Sequence, residues 1–319
     1  MKLKQLQGLL PSSPRSQTHL LALAFLNALS QPATPGCPPA AALWSDLVQI
    51  PDRRLGEALD HACRTCQDRW PHALDGFFDG VDFAAADPDQ LRHAIGAVER
   101  FADQPGEHPL TRLGTLYQHT RSLNAKQWQG AFFTPWNVAL AMAKITSPRP
   151  GEFIGDISGC GAGVMLIAAL HEVTEQYGPG PAKTITLIGC DIDAETCAVA
   201  RASLIVAGAD EHQFFIACGN ALAQPIVGRD RADGQLKTIN FPHLLGNPPF
   251  GTKVRGGEFE HAAARGPLIV PDRVLYRALT VSARELEHVA QHDERPVHRA
   301  LADTDGRLFT GYQDELRAA

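Results

Sequence analysis

The sequence has no apolar run long enough to cross a bilayer. The stretch after Lys2 and Lys4 is polar and proline-broken, unlike the continuous apolar core of a secretory signal. A cytoplasmic location is therefore the expectation. There is also no dense Lys/Arg cluster, and the formal net charge is −6. Proteins that hold nucleic acid unaided usually show a basic face, because neutralising phosphates supplies most of the non-specific affinity. Lys253 and Arg255 are the nearest approach to a local patch, so any grip on a polyanion is weak or is supplied by a partner. The seven cysteines are an odd number, scattered through apparent strands and helices, which suits reduced thiols better than a disulfide framework. No internal repeat and no long low-complexity segment is visible. What remains is a globular composition, 44% hydrophobic and 20% charged, over 319 residues. That length holds one large domain or two ordinary ones.

Periodicity divides the chain. Residues 1–125 read as a helical N-terminal domain. His19 to Leu29 is a compact apolar helix, followed by a Pro/Gly-rich break from Pro32 to Pro39. Asp87-Pro88 opens a helix through Leu91, Ile95, Val98 and Phe101, with Pro in its first turn. An amphipathic stretch runs from Leu110 to Leu123. Over residues 126–319 strands and helices alternate, which predicts an α/β domain with a doubly wound, mostly parallel sheet. Thr134-Pro135 predicts a cap and first turn for a helix through Val138, Met142 and Ile145. Strands are expected at Glu152–Ile157, Thr184–Cys190, Gln213–Cys218 and Phe241–Leu245, with helices at Val164–Val173 and Ala194–Val206. In such sheets ligands bind at the carboxyl ends of the strands.

Chemistry-bearing residues fall at those ends. After the first strand comes Asp156-Ile157-Ser158-Gly159-Cys160-Gly161-Ala162-Gly163, a turn whose glycines allow close backbone approach to a ligand. A tight turn with no ligand is the plainer reading, and many nucleotide-binding folds share the pattern. The second strand ends in Asp191-Ile192-Asp193, and Asp191 follows Gly163 by 28 positions, room for a helix and a strand. An acid there can accept from both hydroxyls of an adenosine ribose, whereas Asp193 suits the N-cap of the next helix. The third strand ends at Cys218-Gly219-Asn220-Ala221-Leu222, where a polar side chain can meet an adenine edge.

Asn247-Pro248-Pro249-Phe250 follows the fourth strand. Two prolines fix the backbone and remove two amide donors. The Asn amide oxygen and the Pro248 carbonyl then form a pair of acceptors for a planar amino group. Accepting both N–H bonds draws the nitrogen lone pair out of conjugation toward an incoming methyl. Phe250 offers a face for stacking an extruded base. The alternative is an Asn-Pro turn that closes a strand.

Asn247-Pro248-Pro249-Phe250 resembles the catalytic motif of N6-adenine DNA methyltransferases, and Gly130-Ala131-Phe132-Phe133-Thr134-Pro135 resembles a segment of type I restriction-modification methylation subunits. The similarity spans residues 110 to 255. It implies an S-adenosyl-L-methionine methyltransferase acting on the N6 amine of adenine, with Phe133, Thr134 and Pro135 near the cofactor's methionine. It further implies Asp156, Gly161 and Gly163 in the main cofactor loop, Asp191 with Ile192 at the ribose, and Asn220 with Ala221 facing the cofactor adenine. Asn247, Pro248, Pro249 and Phe250 would meet the target base. The implied partners are double-stranded DNA with a flipped adenine and a specificity or restriction subunit.

Three departures stand out. The glycine loop is one residue longer than Asp-Pro-x-Cys-Gly-x-Gly, with Ile157 in place of Pro, and Asn220 stands where Asp is common. Only 69 residues follow Phe250, with Leu268-Ile269-Val270 and Arg307-Leu308-Phe309 as candidate strands, so a shortened C-terminus is expected. These features keep a non-catalytic methyltransferase-fold subunit as one alternative. A glutamine N5 protein methyltransferase, whose similar motif usually ends in Tyr, is another. Cys63-x-x-Cys66, near His61 and His72, hints at zinc but lacks a second ligand pair, so helix-packing cysteines are the expectation and no metal is assigned. His243 is expected to be structural.

Overall fold

A computed structural model describes residues 14–30, 41–103, 108–122, 134–230, 232–247 and 263–275, and the structural statements concern these. The chain opens with helices α1 (Pro14–Leu29), α2 (Ala41–Gln49), α3 (Asp52–Arg69) and α4 (Pro88–Ala102), then a short 3-10 turn at Pro109–Thr111 leading into α5 (Arg112–Ser122). In α1 every residue from Leu20 to Leu26 is buried. Such a helix, apolar all round, is a central one, and it packs against α4 and α5. The α3 helix is amphipathic instead, burying Leu55, Leu59, Ala62, Cys63 and Cys66 on one stripe. Cys63 and Cys66 thus pack on the buried stripe, and burial pushes the Cys66 thiol up to about 11 and the Cys63 thiol upward as well. In α4, Asp87 caps the Gln90 N–H and Pro88 fills the first turn, as its sequence predicts.

The second half continues with α6 (Trp136–Thr146), β1 (Phe153–Asp156), α7 (Val164–Tyr177), a single turn α8 (Pro179–Ala182), β2 (Thr186–Asp191), α9 (Ala194–Val206) and β3 (Phe214–Cys218). Then come β4 (Ile226–Arg229), β5 (Leu236–Thr238), β6 (His243–Leu244), β7 (Leu268–Val270) and the short α10 (Asp272–Leu275). The order β3-β2-β1-β6 forms one sheet, parallel at every pairing. Alternation along the strands sends Ile154, Leu187, Phe214 and Ile216 into a core shared with the helices. Ile188, Cys190 and Ala217 face the other way, against Ile226, Val270, Val274 and Leu275. The chain is thus α/β with a parallel sheet and a helical N-terminal region.

Leu268–Val270 is a strand, but it does not extend the main sheet. It pairs with β4, which also pairs antiparallel with β5, in a separate three-stranded sheet. That sheet and α10 cover the face of the main sheet turned away from α9. The candidate strand at Arg307-Leu308-Phe309 lies outside the described residues, as do residues 123–133, where the expected domain boundary falls. The helical region and the α/β region share one hydrophobic core. Arg201 of α9 also donates to the carbonyls of Ala73 and Asp75 at 3.3 and 2.6 Å. Among the described residues no helix is long and apolar enough to cross a membrane.

Candidate active site

Parallel pairing brings the strand ends to one edge. Asp156 stands opposite Gly189, and Asp191 opposite Cys218. β1 lies between β2 and β6, so the chain's winding direction reverses at β1. Outside the carboxyl ends at such a reversal, an open α/β sheet forms its ligand crevice. Asn247, three residues beyond β6, reaches the same edge.

The glycine turn is built on positive φ at Gly159 (114°), Gly161 (54°) and Gly163 (82°), the last serving as N-cap of α7. The turn is pinned to β2 by the Cys160 N–H, which donates to the Cys190 carbonyl at 2.9 Å. Its extra residue is absorbed ahead of that anchor, between Asp156 and Cys160. Asp156, the last residue of β1, is buried with 2% of its surface exposed. Its Oδ1 and the Ser158 Oγ are buried without a hydrogen-bond partner among the described residues. Both border Gly246: a Cβ there would stand 2.4 Å from Ser158 Oγ and 3.6 Å from Asp156 Oδ1. A side chain at position 246 therefore requires the Ser158 hydroxyl to rotate away.

Burial, then the neighbouring Asp191, raises the Asp156 carboxyl to about 7. An acid raised in the folded state stabilises the fold while protonated, fully below the ordinary carboxylate range. That contribution is lost as pH rises through about 7. The roughly three-unit span sets its scale on the order of 4 kcal/mol. Asp156→Asn should therefore flatten the fall in melting temperature between pH 5 and pH 8, measured by calorimetry. Parallel pH slopes for the variant and the wild type would contradict this.

Asp191 accepts from the backbone N–H of Gly161 at 3.1 Å and of Asp193 at 3.0 Å. Burial raises its carboxyl too, outweighing these donors. Asp193 takes the capping role, accepting from the Thr196 N–H at 2.8 Å. The Tyr117 hydroxyl reaches both Asp193 (3.4 Å) and Thr196 (3.0 Å), a tie from α5 that the sequence did not signal. Ile192 is 71% exposed at the end of β2 and Leu222 is 75% exposed beyond β3. Two exposed apolar side chains at one edge suit the faces of a planar ring. Leu222 escaped the sequence reading because a lone Leu in a turn carries no pattern. Asn220 Oδ1 accepts from the Leu222 N–H at 3.1 Å, which fixes the orientation of its amide.

At the other side of the crevice, Asn247 is half-buried and its Nδ2 donates to Thr134 Oγ1 at 3.2 Å, across 113 positions. The expected capping role of Thr134 is corrected here. Pro135 occupies the N-cap of α6, and no side chain caps that helix. Proline at the N-cap places Thr134 one residue outside the helix, where its hydroxyl meets Asn247 instead. With Nδ2 engaged, Asn247 Oδ1 is the atom left to accept. His243 Nε2 pairs with Glu152 Oε2 at 2.7 Å, the structural part expected of it.

The Asp191 carboxylate, the Asn247 amide and the exposed Ile192 and Leu222 thus gather at one edge of the sheet. Thr134, Asp156, Gly161, Gly163, Asp191 and Asn247 lie at this edge, with Ile192, Asn220 and Ala221 on its β3 side. Phe133, Pro248, Pro249 and Phe250 lie outside the described residues.

Residues 112–266 match the family model described as N-6 DNA Methylase. Over 140 residues the chain is 26% identical to the type I restriction enzyme MjaVII methylase subunit of Methanocaldococcus jannaschii, an alignment covering 43% of this chain and 22% of that protein. A type I restriction-modification methyltransferase subunit from Streptococcus thermophilus aligns with a TM-score of 0.45 at 19% identity, covering 69% of this chain and 47% of that one. A modification subunit of a putative type I restriction enzyme from Vibrio vulnificus gives 0.45 at 17% identity, covering 80% and 61%. The chain thus spans less than two thirds of the length of each. Residues 112–266, the stretch that carries the paired carboxylates, Thr134 and Asn247, are thus similar to the N-6 DNA Methylase family.

Proposed function

We propose that this chain transfers a methyl group from S-adenosyl-L-methionine to the exocyclic N6 amine of adenine in DNA. The observation that supports it most is the hydrogen bond between Thr134 and Asn247. It joins the two motifs that flank the glycine turn in sequence, beside the carboxylates suited to the cofactor. In this reading the chain comprises a helical domain over residues 1–125 and a methyltransferase domain over 126–319.

The cofactor, when bound, supplies an electrophilic methyl on a sulfonium. Asp191 would accept from the two ribose hydroxyls, with Ile192 and Leu222 against the adenine ring and Asn220 and Ala221 along its edge. Phe133, Thr134 and Pro135 would lie along methionine, and Asp156, with Gly161 and Gly163, would line the turn around it. Asn247 Oδ1 and the Pro248 carbonyl would accept the two amine hydrogens of a flipped adenine, held by Pro249 and stacked on Phe250. Those two acceptors would turn the amine's lone pair toward the methyl that the cofactor would supply, with the methyl–sulfur bonding pair going to sulfur and the spare amine proton to water. Position and electrostatics supply the acceleration, and no general base is needed first.

The net charge of −6 and the absence of a dense basic cluster favour a partner, a specificity or restriction subunit, that holds the duplex. A cytoplasmic site of action completes the proposal. The test is incubation with tritiated cofactor and mixed DNA, alone and with a specificity subunit. Label on adenine is the expected result. Label on protein favours the glutamine alternative, and absence of label with every DNA and partner favours the non-catalytic one. Thr134→Ala should slow transfer about tenfold by freeing the Asn247 amide, and Thr134→Ser should restore it. Single-turnover rates check both.

A further inference from the structure

Outside the crevice, three rings stand where the helical region meets α6 and α7. His108, just before the 3-10 turn, stacks on Trp136, the first residue of α6, with centroids 4.0 Å apart and planes 13° apart. His171 of α7 meets both edge-on, 5.5 Å from Trp136 and 5.9 Å from His108. The Nδ1 atoms of both histidines are buried without a hydrogen-bond partner among the described residues. Ring faces, not hydrogen bonds from these nitrogens, therefore bring the imidazoles into contact. Burial, then His171 and Arg112, lowers the His108 pKa, so its ring stacks in the neutral form.

The place of this cluster gives it a consequence. The N-terminus of α6 has no side-chain cap, and the helix buries only the small Ala139 and Ala143. Two alanines fix the depth of a helix but offer little hold on its first turn. Trp136 is the large side chain in that turn, and its aromatic contacts supply the missing hold. Pro135, with φ at −60°, links it rigidly to Thr134, whose hydroxyl receives the Asn247 amide.

We infer that His108 and His171 are positioning residues for Asn247, holding Trp136 and, through Pro135, the Thr134 hydroxyl that orients the Asn247 amide. The functional side of this inference rests on the proposed role of Asn247, but its geometric side does not. A segment ahead of the family-matched region thus sets the geometry of a residue at the far end of the crevice. Burial, with His171 and Arg112 beside it, makes the stack intolerant of an added proton on His108, and a flat apolar ring can replace that residue.

The test reads the Asn247 side chain directly in the full-length protein. Its Nδ2 proton pair is observed by 15N-correlated NMR and assigned by its loss in Asn247→Asp. His108→Ala and Trp136→Ala should shift and broaden that pair, while His108→Phe and Trp136→Phe, which keep a ring to stack, should leave it near the wild-type position. In single-turnover assays the alanine variants should lower the transfer rate about tenfold, with cofactor Kd changed less than about threefold. The phenylalanine variants should recover the rate. An unshifted Asn247 pair in the alanine variants overturns the inference, as does equal disturbance in the phenylalanine ones. Should an alanine variant fail to fold, His171→Ala, which removes only the edge contact, is read by the same two outcomes. A wild-type protein that labels no DNA defeats the methyl-transfer reading, while the NMR result still decides the positioning.

Discussion

Asn247→Ala should lower methyl transfer on the order of 100- to 1,000-fold, the scale of removing one preorganised polar group from a reacting centre. The affinity for S-adenosyl-L-methionine should stay within about threefold of wild type, because in the proposed reaction the lost acceptor serves the substrate amine and not the cofactor. Asn247 is half-buried and already spends its Nδ2 on Thr134. The fixed partner leaves Oδ1 facing one task, and alanine removes it while leaving the Thr134 hydroxyl without its donor. Single-turnover rates with labelled cofactor, beside calorimetric affinities, separate the two effects. A fully active Asn247→Ala would remove Asn247 from the reaction.

Asp191→Ala should produce the opposite split, weakening the cofactor on the order of 100-fold, from about 3 kcal/mol in charge-assisted hydrogen bonds. Part of that loss is indirect. Asp191 Oδ2 holds the Gly161 N–H, so its removal also loosens the glycine turn. The neighbouring Asp193 provides the control. It caps α9 through Thr196, and losing such a cap costs about 1 kcal/mol of stability. Asp193→Ala should therefore melt earlier while binding cofactor far better than Asp191→Ala. Calorimetric titration and melting curves on both variants decide the matter. Equal cofactor affinities would place the ribose elsewhere.

Local signals read well because local chemistry fixes them. Asp87-Pro88 and Asp193 cap their helices as their sequence positions dictate. α9 runs over Ala194–Val206, the segment its periodicity marks. Strand periodicity also located the ends that carry Asp156, Asp191 and Asn220. The second sheet was hard to see because its strands are short. β5 is three residues, none of them buried, and β4 holds four. Leu268–Val270 announces a strand but cannot announce its partner, since pairing is a tertiary choice. Thr134 misled for a similar reason. Ser or Thr before Pro is a sound helix-start signal, yet the hydroxyl found a partner 113 positions away and left the cap to Pro135. The burial of Asp156 likewise depends on what packs over the end of β1, Gly246 and Ser158 among it, which the local sequence does not show. The stack of His108, Trp136 and His171 draws on three separate segments, and no sequence window contains it.

The most direct measurement is a crystal structure of the full chain with S-adenosyl-L-methionine bound. It should place the ribose hydroxyls on Asp191, methionine beside Thr134 and the glycine turn, and the sulfonium methyl facing Asn247 Oδ1. A cofactor seated away from these strand ends, or a crevice closed by its own side chains with Asn247 turned out of it, would contradict the account.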